Sequence, residues 1–403
     1  MKKIFTGLLV CFLTVFMTVS SVNALDVSKV DEAYKKVVEY YEKNNELDLS
    51  AIIAVEALGL EAENGDFKLP EFNLERLKQS GVGTLGKNIV ALSLIGKNPT
   101  NFEGTDLVEI LKQGINSDGS IQYSYGMSND VWVLFALETV GDSDTAKLVA
   151  DYLASNINTD GGFWDYGYDE NWALTDEHVS SLDTTGWVIE ALSIIGKEEY
   201  QESINKAIEY LKNNQADDNA SFVGPYGANT DTQACVLEGL LVYNQDIVIK
   251  TNEFDKNGTN PMEFLLSFQT SDGGFGYVDN SENNSLATQD AARCLGTYKN
   301  GSVIFKAQDA YKEIINNEED EPTKEPEKEQ NPSVDVEEAV SKNPVTIENS
   351  QQTTTEKDEP STKTENAKPV ETSDSNDLTG FVVMAVVSGG LFIALRKKDE
   401  EIC

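Results

Sequence analysis

The sequence predicts an all-α domain in which six inner and about six outer helices form a closed double ring. Two periodic features lead to this prediction: apolar helices that carry an Ala-Leu or Gly-Leu pair, and turns rich in Asp and Gly. A third observation is that charged residues concentrate in other helices, which lie between the apolar ones along the chain. A helix that is apolar all round must be covered on nearly all sides, and a ring inside a second ring achieves this.

Six segments share the inner-helix pattern, in which an apolar run follows a small or polar start. Their starts lie 34 to 56 residues apart, a spacing typical of stacked helix pairs. The segments are SAIIAVEALGL from Ser50, TLGKNIVALSL from Thr84, NDVWVLFALET from Asn129, TTGWVIEALSI from Thr184, TQACVLEGLLV from Thr232 and TQDAARCLGTY from Thr288.

Amphipathic helices are predicted between these segments, because their apolar residues recur at i, i+3 and i+4. Three are clear, Val30 to Lys43, Asp144 to Ser155 and Gln201 to Asn214, and two near residues 73–80 and 104–114 are short. An open array of repeats would need polar terminal repeats, and the sequence shows no distinct ones. The pattern therefore favours a ring.

Asp- and Gly-rich stretches are interpreted as turns between outer and inner helices, since Asp-Gly and Gly-Gly pairs permit positive φ. The aromatic residue after each turn is expected to wedge between neighbouring repeats. The stretches are NSDGSI from Asn116, NTDGGFW from Asn158, QADDNASF from Gln215 and QTSDGGFG from Gln269.

Composition shifts divide the chain into four predicted segments. Residues 1–24 have the basic start, apolar run and small-residue end of a secretory signal peptide. Residues 27–317 form the helical domain. Residues 318–377 are acidic with few apolar residues, which predicts a disordered stalk. Residues 378–403 hold an apolar run followed by Arg396, Lys397 and Lys398, which predicts a C-terminal anchor.

The nature of the anchor stays open between a transmembrane helix and a sorting signal. The apolar run is short for a spanning helix, and the preceding NDLTG at Asn376 to Gly380 resembles a Gram-positive sortase signal without its Leu-Pro pair. Either case predicts a protein on the extracellular face of a Gram-positive type of cell, attached to the membrane or the cell wall. The formal charge of −38 argues against nucleic acid as a partner.

Cys235 and Cys294 lie in apolar helical segments and are predicted to be buried. A disulfide between them stays open, since the predicted location is oxidising.

The repeats of this sequence resemble those of a known superfamily. Residues 269–275 read Gln-x-x-Asp-Gly-Gly-Phe, which resembles the repeat signature of the terpenoid cyclase and protein prenyltransferase α/α toroids, also called prenyltransferase and squalene-oxidase repeats. DTTGWVIEAL from Asp183 resembles their inner-helix motif. The segment is also similar to the cobalamin binders intrinsic factor and transcobalamin, and to bacterial surface proteins with these repeats. The resemblance covers about residues 27–317 and implies an α/α toroid, but not one activity.

The resemblance implies a zinc site for prenyl transfer, held by an Asp, a Cys and a His. Here Asp231 and Cys235 are four residues apart, but His178, the single histidine, precedes them and no third ligand follows. A catalytic zinc needs three protein ligands. No metal and no prenyl transfer are therefore predicted.

The resemblance also implies a catalytic acid, the middle Asp of Asp-x-Asp-Asp-Thr in class II terpene cyclases. Asp183 matches it, but Ser181 and Thr184 replace the flanking acids. Asp183 stands where a helix N-cap is expected, and Asp231 repeats that placement. Capping lowers the pKa of a carboxyl, which disfavours a proton donor. A degenerate cyclase with Asp183 as general acid remains the alternative.

Aromatic and acidic loops before the inner helices are the predicted ligand site at one mouth of the barrel. Such a rim suits sugars, peptides, or cationic and planar ligands. The candidate residues are Tyr123, Tyr125, Trp132, Trp164, Tyr166, Tyr168, Trp172, Asp183, Trp187, Tyr226, Asp231 and Tyr277. The same aromatics could instead wedge the repeats together.

The sequence thus favours a surface-anchored toroid, non-catalytic, that binds a small molecule, glycan or peptide at the barrel mouth. No cofactor is predicted; cobalamin is a candidate only through the resemblance, and Ca²⁺ only through Asp and Asn in the loops. An adhesin is a further alternative, with its binding patch on the outer wall.

Overall fold

The computed structural model describes residues 25–169, 173–225 and 227–320, which lie in one compact unit. The predicted signal peptide, most of the predicted stalk and the predicted anchor fall outside the described residues. Within the described part of the chain, no helix is both long and apolar enough to cross a membrane.

Six inner helices form a closed ring, as predicted. Each packs against the next in chain order, and the last packs against the first. They are α2 (Leu49–Ala57), α4 (Val82–Leu94), α6 (Met127–Val140), α8 (Leu182–Gly196), α10 (Thr230–Ile249) and α12 (Ser285–Asn300). The predicted segments all fall within these helices or run past their ends by at most three residues.

Outer helices alternate with the inner ones along the chain and cover them from outside. The three clear predictions are confirmed, and the two short ones are single short helices. The outer helices are α1 (Val27–Lys43), α3 (Leu74–Gln79), α5 (Leu107–Gln113), α7 (Ser143–Ser155), α9 (Gln201–Asn213) and α11 (Pro261–Leu266).

A further helix that the sequence analysis missed, α13 (Val303–Asp320), lies across the end of the ring where the inner helices finish. Its buried face includes Val303, Ile304 and Ala307. Lys306 pairs with the carboxylate of Glu56 and donates to the backbone carbonyl of Leu60, just beyond α2. The helix therefore closes one end of the barrel and extends the folded domain to residue 320, into the first residues of the predicted stalk.

The Asp- and Gly-rich stretches are turns, and the three that contain a phenylalanine fix it by the same kind of hydrogen bond. The backbone N–H groups of Phe163, Phe222 and Phe275 donate to side chains of the following inner helices. The acceptors are Thr185 Oγ1, Gln233 Oε1 and Thr288 Oγ1, at 2.9 to 3.0 Å. All three Phe rings are fully buried, which confirms that they wedge between repeats.

The ring closes partly through the turn after α11. Gly273 has φ +97°, and a Cβ atom there would lie 2.3 Å from the carbonyl oxygen of Lys36 in α1. Gln269 donates to the carbonyl of Ala33 in the same helix at 2.9 Å. The last repeat therefore packs directly on the first outer helix, and glycine is required because no side chain fits between the backbones.

The long loop before α8 is a β-hairpin rather than irregular chain, which corrects the all-α prediction. Strands β1 (Trp164–Tyr168) and β2 (Leu174–Ser180) are antiparallel, with Tyr166 opposite His178. A second, minimal hairpin, β3 (Val223–Gly224) and β4 (Gly227–Ala228), precedes α10. Both lie at the end of the ring where the inner helices begin, which we call the mouth.

The first hairpin is attached to the ring through the carboxyl group of Asp165, and a second buried carboxyl group, that of Asp130, lies near it. Asp165 Oδ1 accepts from the backbone N–H of Ser128 in α6 at 3.0 Å, and Asp165 Oδ2 accepts from Thr184 Oγ1 in α8. Asp130 Oδ1, in the first turn of α6, accepts from Ser124 Oγ at 2.5 Å. Burial raises the pKa of Asp165, and burial together with Asp165 raises the pKa of Asp130 to about 7.

We expect Gly239→Ala to destabilise the ring, because α8 and α10 touch through their backbones there. A Cβ atom on Gly239 would lie 2.0 Å from the carbonyl oxygen of Gly186, so the helices must separate. The free energy of unfolding should fall by about 1–3 kcal/mol, measured by urea titration. Gly196→Ala in α8 is the control, since its new Cβ would meet no atom closer than 3.7 Å. Equal midpoints for the two variants would contradict the packing described here.

We expect Asp130→Asn to change the pH dependence of the melting temperature. The folded protein holds the Asp130 proton up to about pH 7, whereas an unfolded chain loses it near its ordinary pKa of 3.8. Wild-type stability from this group is therefore full below the unfolded value and is lost as pH rises through the folded one.

The Asn variant should melt like the wild type near pH 4 and about 4 °C higher at pH 8, a shift worth roughly 1–2 kcal/mol in a domain of this size. Asp176→Asn, on the exposed face of β2, is the control and should follow the wild-type curve. A variant that melts lower at every pH would show that an ionised Asp130 stabilises the folded protein.

Candidate functional site

The inward faces of the inner helices carry charged and aromatic side chains at equivalent positions. In α8 these are Asp183, Trp187 and Glu190, spaced four and three residues apart so that they share one helix face. The neighbouring helix α10 places Asp231, Cys235 and Glu238 at the same spacing, and α12 adds Asp290 and Arg293. We call these groups the barrel interior.

Asp183 and Asp231 are not N-caps, which corrects the sequence-based interpretation. The caps are Ser181 and Asn229, whose side-chain oxygens accept from the backbone N–H groups of Thr184 and Thr232. The two aspartates lie two residues further on, in the first helical turn, where their side chains turn into the barrel. Each is partly exposed to solvent although its carboxyl group is surrounded by protein.

Their pKa values are raised, not lowered. Burial raises the pKa of Asp183 to about 6; a hydrogen bond with Thr232 opposes the shift and the charge of Asp165 adds to it. Burial raises the pKa of Asp231 well above its usual value, and the carboxyls of Asp290 and Asp183 raise it further. The positive end of a helix is too weak to offset desolvation among neighbouring carboxyl groups.

Asp231 is the carboxyl group with unused bonding capacity. Its Oδ1 atom is buried and has no hydrogen-bond partner. It is one of six such buried side-chain atoms among the described residues, and two of the others are the indole Nε1 of Trp187 and the phenol oxygen of Tyr41. Tyr41 is 4% exposed. Burial, with a smaller contribution from the charge of Asp290, raises the pKa of its hydroxyl. Buried polar atoms are nearly always paired, so an unpaired carboxyl oxygen beside other carboxyl groups calls for an explanation.

Arg293 is fully engaged at the centre of the interior. Its guanidinium forms a two-point contact with the carboxylate of Glu238 and lies 3.5 Å from Asp290 Oδ1. The rings of Trp132 and Trp187 lie at 5.6 and 5.8 Å from its central carbon. Such a paired and stacked guanidinium is held in one orientation.

Lys87 is the second interior cation. Its ammonium group donates to Ser50 Oγ at 2.6 Å and lies 5.1 Å from the centre of the Trp132 ring. Its charge also lowers the pKa of Asp290, although burial outweighs it and leaves that pKa at about 6. Lys87 and Arg293 thus both act on Asp290.

The deep end of the interior is sealed by a carboxyl group bonded to α13. Glu190 Oε1 accepts from Ser302 Oγ, at the start of that helix, at 2.7 Å. Burial and the neighbouring Glu238 raise the pKa of Glu190 to about 8. Five carboxyl groups, those of residues 183, 190, 231, 238 and 290, therefore surround two cations, so the interior favours added positive charge or protons.

The predicted mouth aromatics separate into three groups. Trp132 and Trp187 face the interior, with ring centres 6.5 Å apart. Trp164 is buried: its ring stacks on His178 at 3.4 Å and its Nε1 donates to the carbonyl of Asn156. Tyr166 packs edge-on against the same pair. Trp164 and Tyr166 therefore support the hairpin, and a ligand cannot reach the Trp164 face.

Tyr123, Tyr125 and Tyr168 project into solvent at the mouth, with exposed fractions of 95%, 53% and 59%. Tyr277 is half-buried, and its carbonyl accepts from Thr230 at the start of α10. Trp172 and Tyr226 lie outside the described residues. The predicted rim is thus partly exposed, and it is distinct from the interior.

Cys235 and Cys294 are free, buried thiols, so the disulfide left open from the sequence is not formed. Burial raises the pKa of both thiols. Among the residues that the structure describes, no group of three or more His, Cys, Asp or Glu side chains is arranged to hold a metal ion.

The sequence analysis missed Glu190, Glu238, Asp290, Arg293 and Lys87 as interior residues. One signal was available: Glu stands in the middle of three apolar inner helices, at residues 56, 190 and 238, three residues after the position of Trp187 or its equivalents. A charge repeated in the centre of an apolar helix must face a polar interior or a partner.

A separate groove of about 490 Å³ lies between the end of α6 and α13, lined partly by Glu138, Gln308 and Tyr311. It contains none of the predicted site residues and lies at the closed end of the barrel. The chemistry is concentrated in the interior instead.

Comparison with known proteins supports the repeat assignment. Residues 11–163 match the prenyltransferase alpha-alpha toroid domain, and residues 168–297 match the squalene-hopene cyclase C-terminal domain. No functionally curated protein matches the chain.

Three solved structures illustrate the structural likeness. An ent-copalyl diphosphate synthase from Streptomyces platensis is 17% identical with a TM-score of 0.41, covering 65% of this chain and 50% of its own, so this chain spans half its length. A Candida albicans protein geranylgeranyltransferase-I is 15% identical with a TM-score of 0.45, covering 73% and 100%. A polysaccharide lyase is 12% identical with a TM-score of 0.43, covering 72% and 98%.

The matched residues of the two family models together span nearly all of the double ring, and the helical order agrees with them. The resemblance predicted from the sequence is thereby confirmed: this chain is similar to the α/α-toroid superfamily of terpenoid cyclases and protein prenyltransferases.

Proposed function

We propose that this protein is a surface-anchored toroid that binds a small molecule inside its barrel, entering at the mouth, without catalysing a reaction. The observation that carries the proposal is the buried, unpartnered Oδ1 atom of Asp231, together with the unpartnered Trp187 Nε1 and Tyr41 hydroxyl. A polar group left unpaired in a folded protein costs free energy, and a ligand that pairs it recovers that cost.

The barrel is closed by α13 at one end, so the mouth is the route by which a ligand reaches these groups. Asp183 and Asp231 lie in the first turns of their helices and remain partly exposed there. The hairpin and the exposed tyrosines surround this entrance. They would contact a ligand as it enters, or the solvent-facing end of a longer one.

A class II cyclase activity with Asp183 as general acid is the second candidate. It is favoured by the burial that raises the pKa of Asp183 to about 6, since a catalytic acid must hold its proton. The charged interior disfavours it: Arg293, Glu238 and Lys87 lie where a cyclase would need an apolar cavity for a hydrocarbon chain. An adhesive role would instead use an exposed patch on the outer wall.

We expect ligand binding to be reported by Trp187 and not by Trp164. The full chain is titrated with primary amines, glycans, peptides, cobalamins and Ca²⁺ while intrinsic tryptophan fluorescence and melting temperature are recorded. A ligand that binds should change the fluorescence. Trp187→Phe should remove most of this change, because the substitution removes the indole ring that lies in the interior, together with its unpaired N–H.

Trp164→Phe is the matched control and should keep the response, since Trp164 is stacked on His178 away from the interior. Loss of the response with Trp164→Phe alone would return the site to the hairpin. No response to any ligand class would contradict binding of these ligands inside the barrel, and turnover of an isoprenoid would then be assayed with Asp183→Asn as the inactive form.

A further inference from the structure

The interior carboxyl groups differ in the partners that stabilise them. Glu238 and Asp290 share Arg293, and Glu190 is bonded to Ser302. The charges that act most strongly on Asp231 are the carboxyls of Asp290 and Asp183, and those on Asp183 include Asp165. In the half of the interior nearer the mouth, carboxyl groups therefore lie beside other carboxyl groups and outnumber the cations that could balance them.

The two interior cations cannot relieve this excess without leaving other partners. Arg293 is held by Glu238 and between two tryptophan rings, and Lys87 is bonded to Ser50. Moving either would leave a buried carboxylate or a stacked ring without its charge, at a cost comparable with the gain. The missing positive charge has to come from outside the chain.

The unpaired groups also indicate the hydrogen-bonding chemistry of a ligand. Asp231 Oδ1 is an acceptor that needs a donor, whereas Trp187 Nε1 is a donor that needs an acceptor. The Tyr41 hydroxyl can serve as either. Because the neighbours of Asp231 are carboxyl groups, a positively charged donor suits its unpaired oxygen.

We propose that the ligand is a small organic ammonium ion, a primary amine, with its ammonium group seated on Asp231 and Asp183. An ammonium offers three donors in a compact volume, enough for both carboxylates and one further group. This inference rests on the proposed function, since it names the ligand class of the same interior site.

Under this proposal, Asp231 serves ligand binding and lowers the stability of the ligand-free protein. Replacing it by Asn removes an unpaired buried charge while keeping the size of the side chain. Asp231→Asn should therefore raise the melting temperature of the ligand-free full chain by about 2–4 °C and weaken amine binding by about 100-fold. Asp290→Asn is the contrasting variant: it takes a partner from Arg293 and should lower the melting temperature.

The ligand class is tested with pairs of compounds in which a neutral hydroxyl group replaces each ammonium group: glucosamine against glucose, putrescine against 1,4-butanediol, and phenethylamine against 2-phenylethanol. Binding to the full chain is measured by calorimetry and by thermal shift, with Ca²⁺ and Mg²⁺ chlorides as further arms. At least one amine should bind at least about 100-fold more tightly than its neutral partner, and Asp231→Asn should remove this preference.

The outcomes separate this inference from the proposed function. Binding of a neutral member as tight as its amine, unaffected by Asp231→Asn, would overturn the ammonium assignment and leave interior binding standing. Saturable binding of a divalent cation without any amine binding would overturn it in favour of a metal. A lower melting temperature for ligand-free Asp231→Asn would show that the carboxylate is structural. No binding in any arm would contradict both proposals.

Discussion

The structure depends on closure of the inner ring, because the inner helices have no face that can be left to water. Their outer sides are covered by the amphipathic helices, their flanks by one another, and only the barrel axis remains. Closure is achieved by close backbone contact, at Gly239 against Gly186 between neighbouring helices and at Gly273 against α1 where the ends of the domain meet. These contacts allow helices to approach closely without cavities.

Closure creates an interior with a low capacity to solvate charge, and the inner helices place charges there regularly. The consequence is a set of carboxyl groups whose pKa values rise together, those of Asp183, Asp231, Asp290 and Glu190. Arg293 and Lys87 stabilise the middle of this set but not the mouth. A domain held together only by its core would gain from apolar residues at these positions, which is why we propose a ligand for the unpaired groups.

The mouth and the closed end differ in the kind of structure that surrounds them. At the closed end, α13 is fixed by Lys306 and Ser302, which pair with the buried carboxyl groups of Glu56 and Glu190. At the mouth, a hairpin is attached through Asp165, and tyrosines project from the rim. Access to the interior is therefore one-sided.

Much of the fold was predictable from the sequence, because helix period and repeat spacing are local properties of the chain. The apolar runs, the charged stripes and the Asp-Gly turns predicted the six inner helices, the clear outer helices and the ring itself. The hairpin and α13 were not predicted: the first depends on pairing across a loop whose residues do not alternate cleanly, and the second lies at the border of an acidic segment, where the charge pattern masks an amphipathic helix.

The site was predictable only in part. The sequence singled out Asp183, Asp231, Trp132 and Trp187, and the structure places them together. The sequence-based interpretation, however, assigned the aspartates to helix caps and Trp164 to a binding surface. Sequence by itself determined which residues occupy the first turns and inner faces of the helices. Tertiary structure alone decided what surrounds them: Asp183 has the local sequence of a cap, but its pKa rises because helices distant in the chain remove water from it and bring further carboxyl groups beside it. Desolvation and charge proximity are sums over spatial neighbours, and those neighbours exist only once the ring has closed.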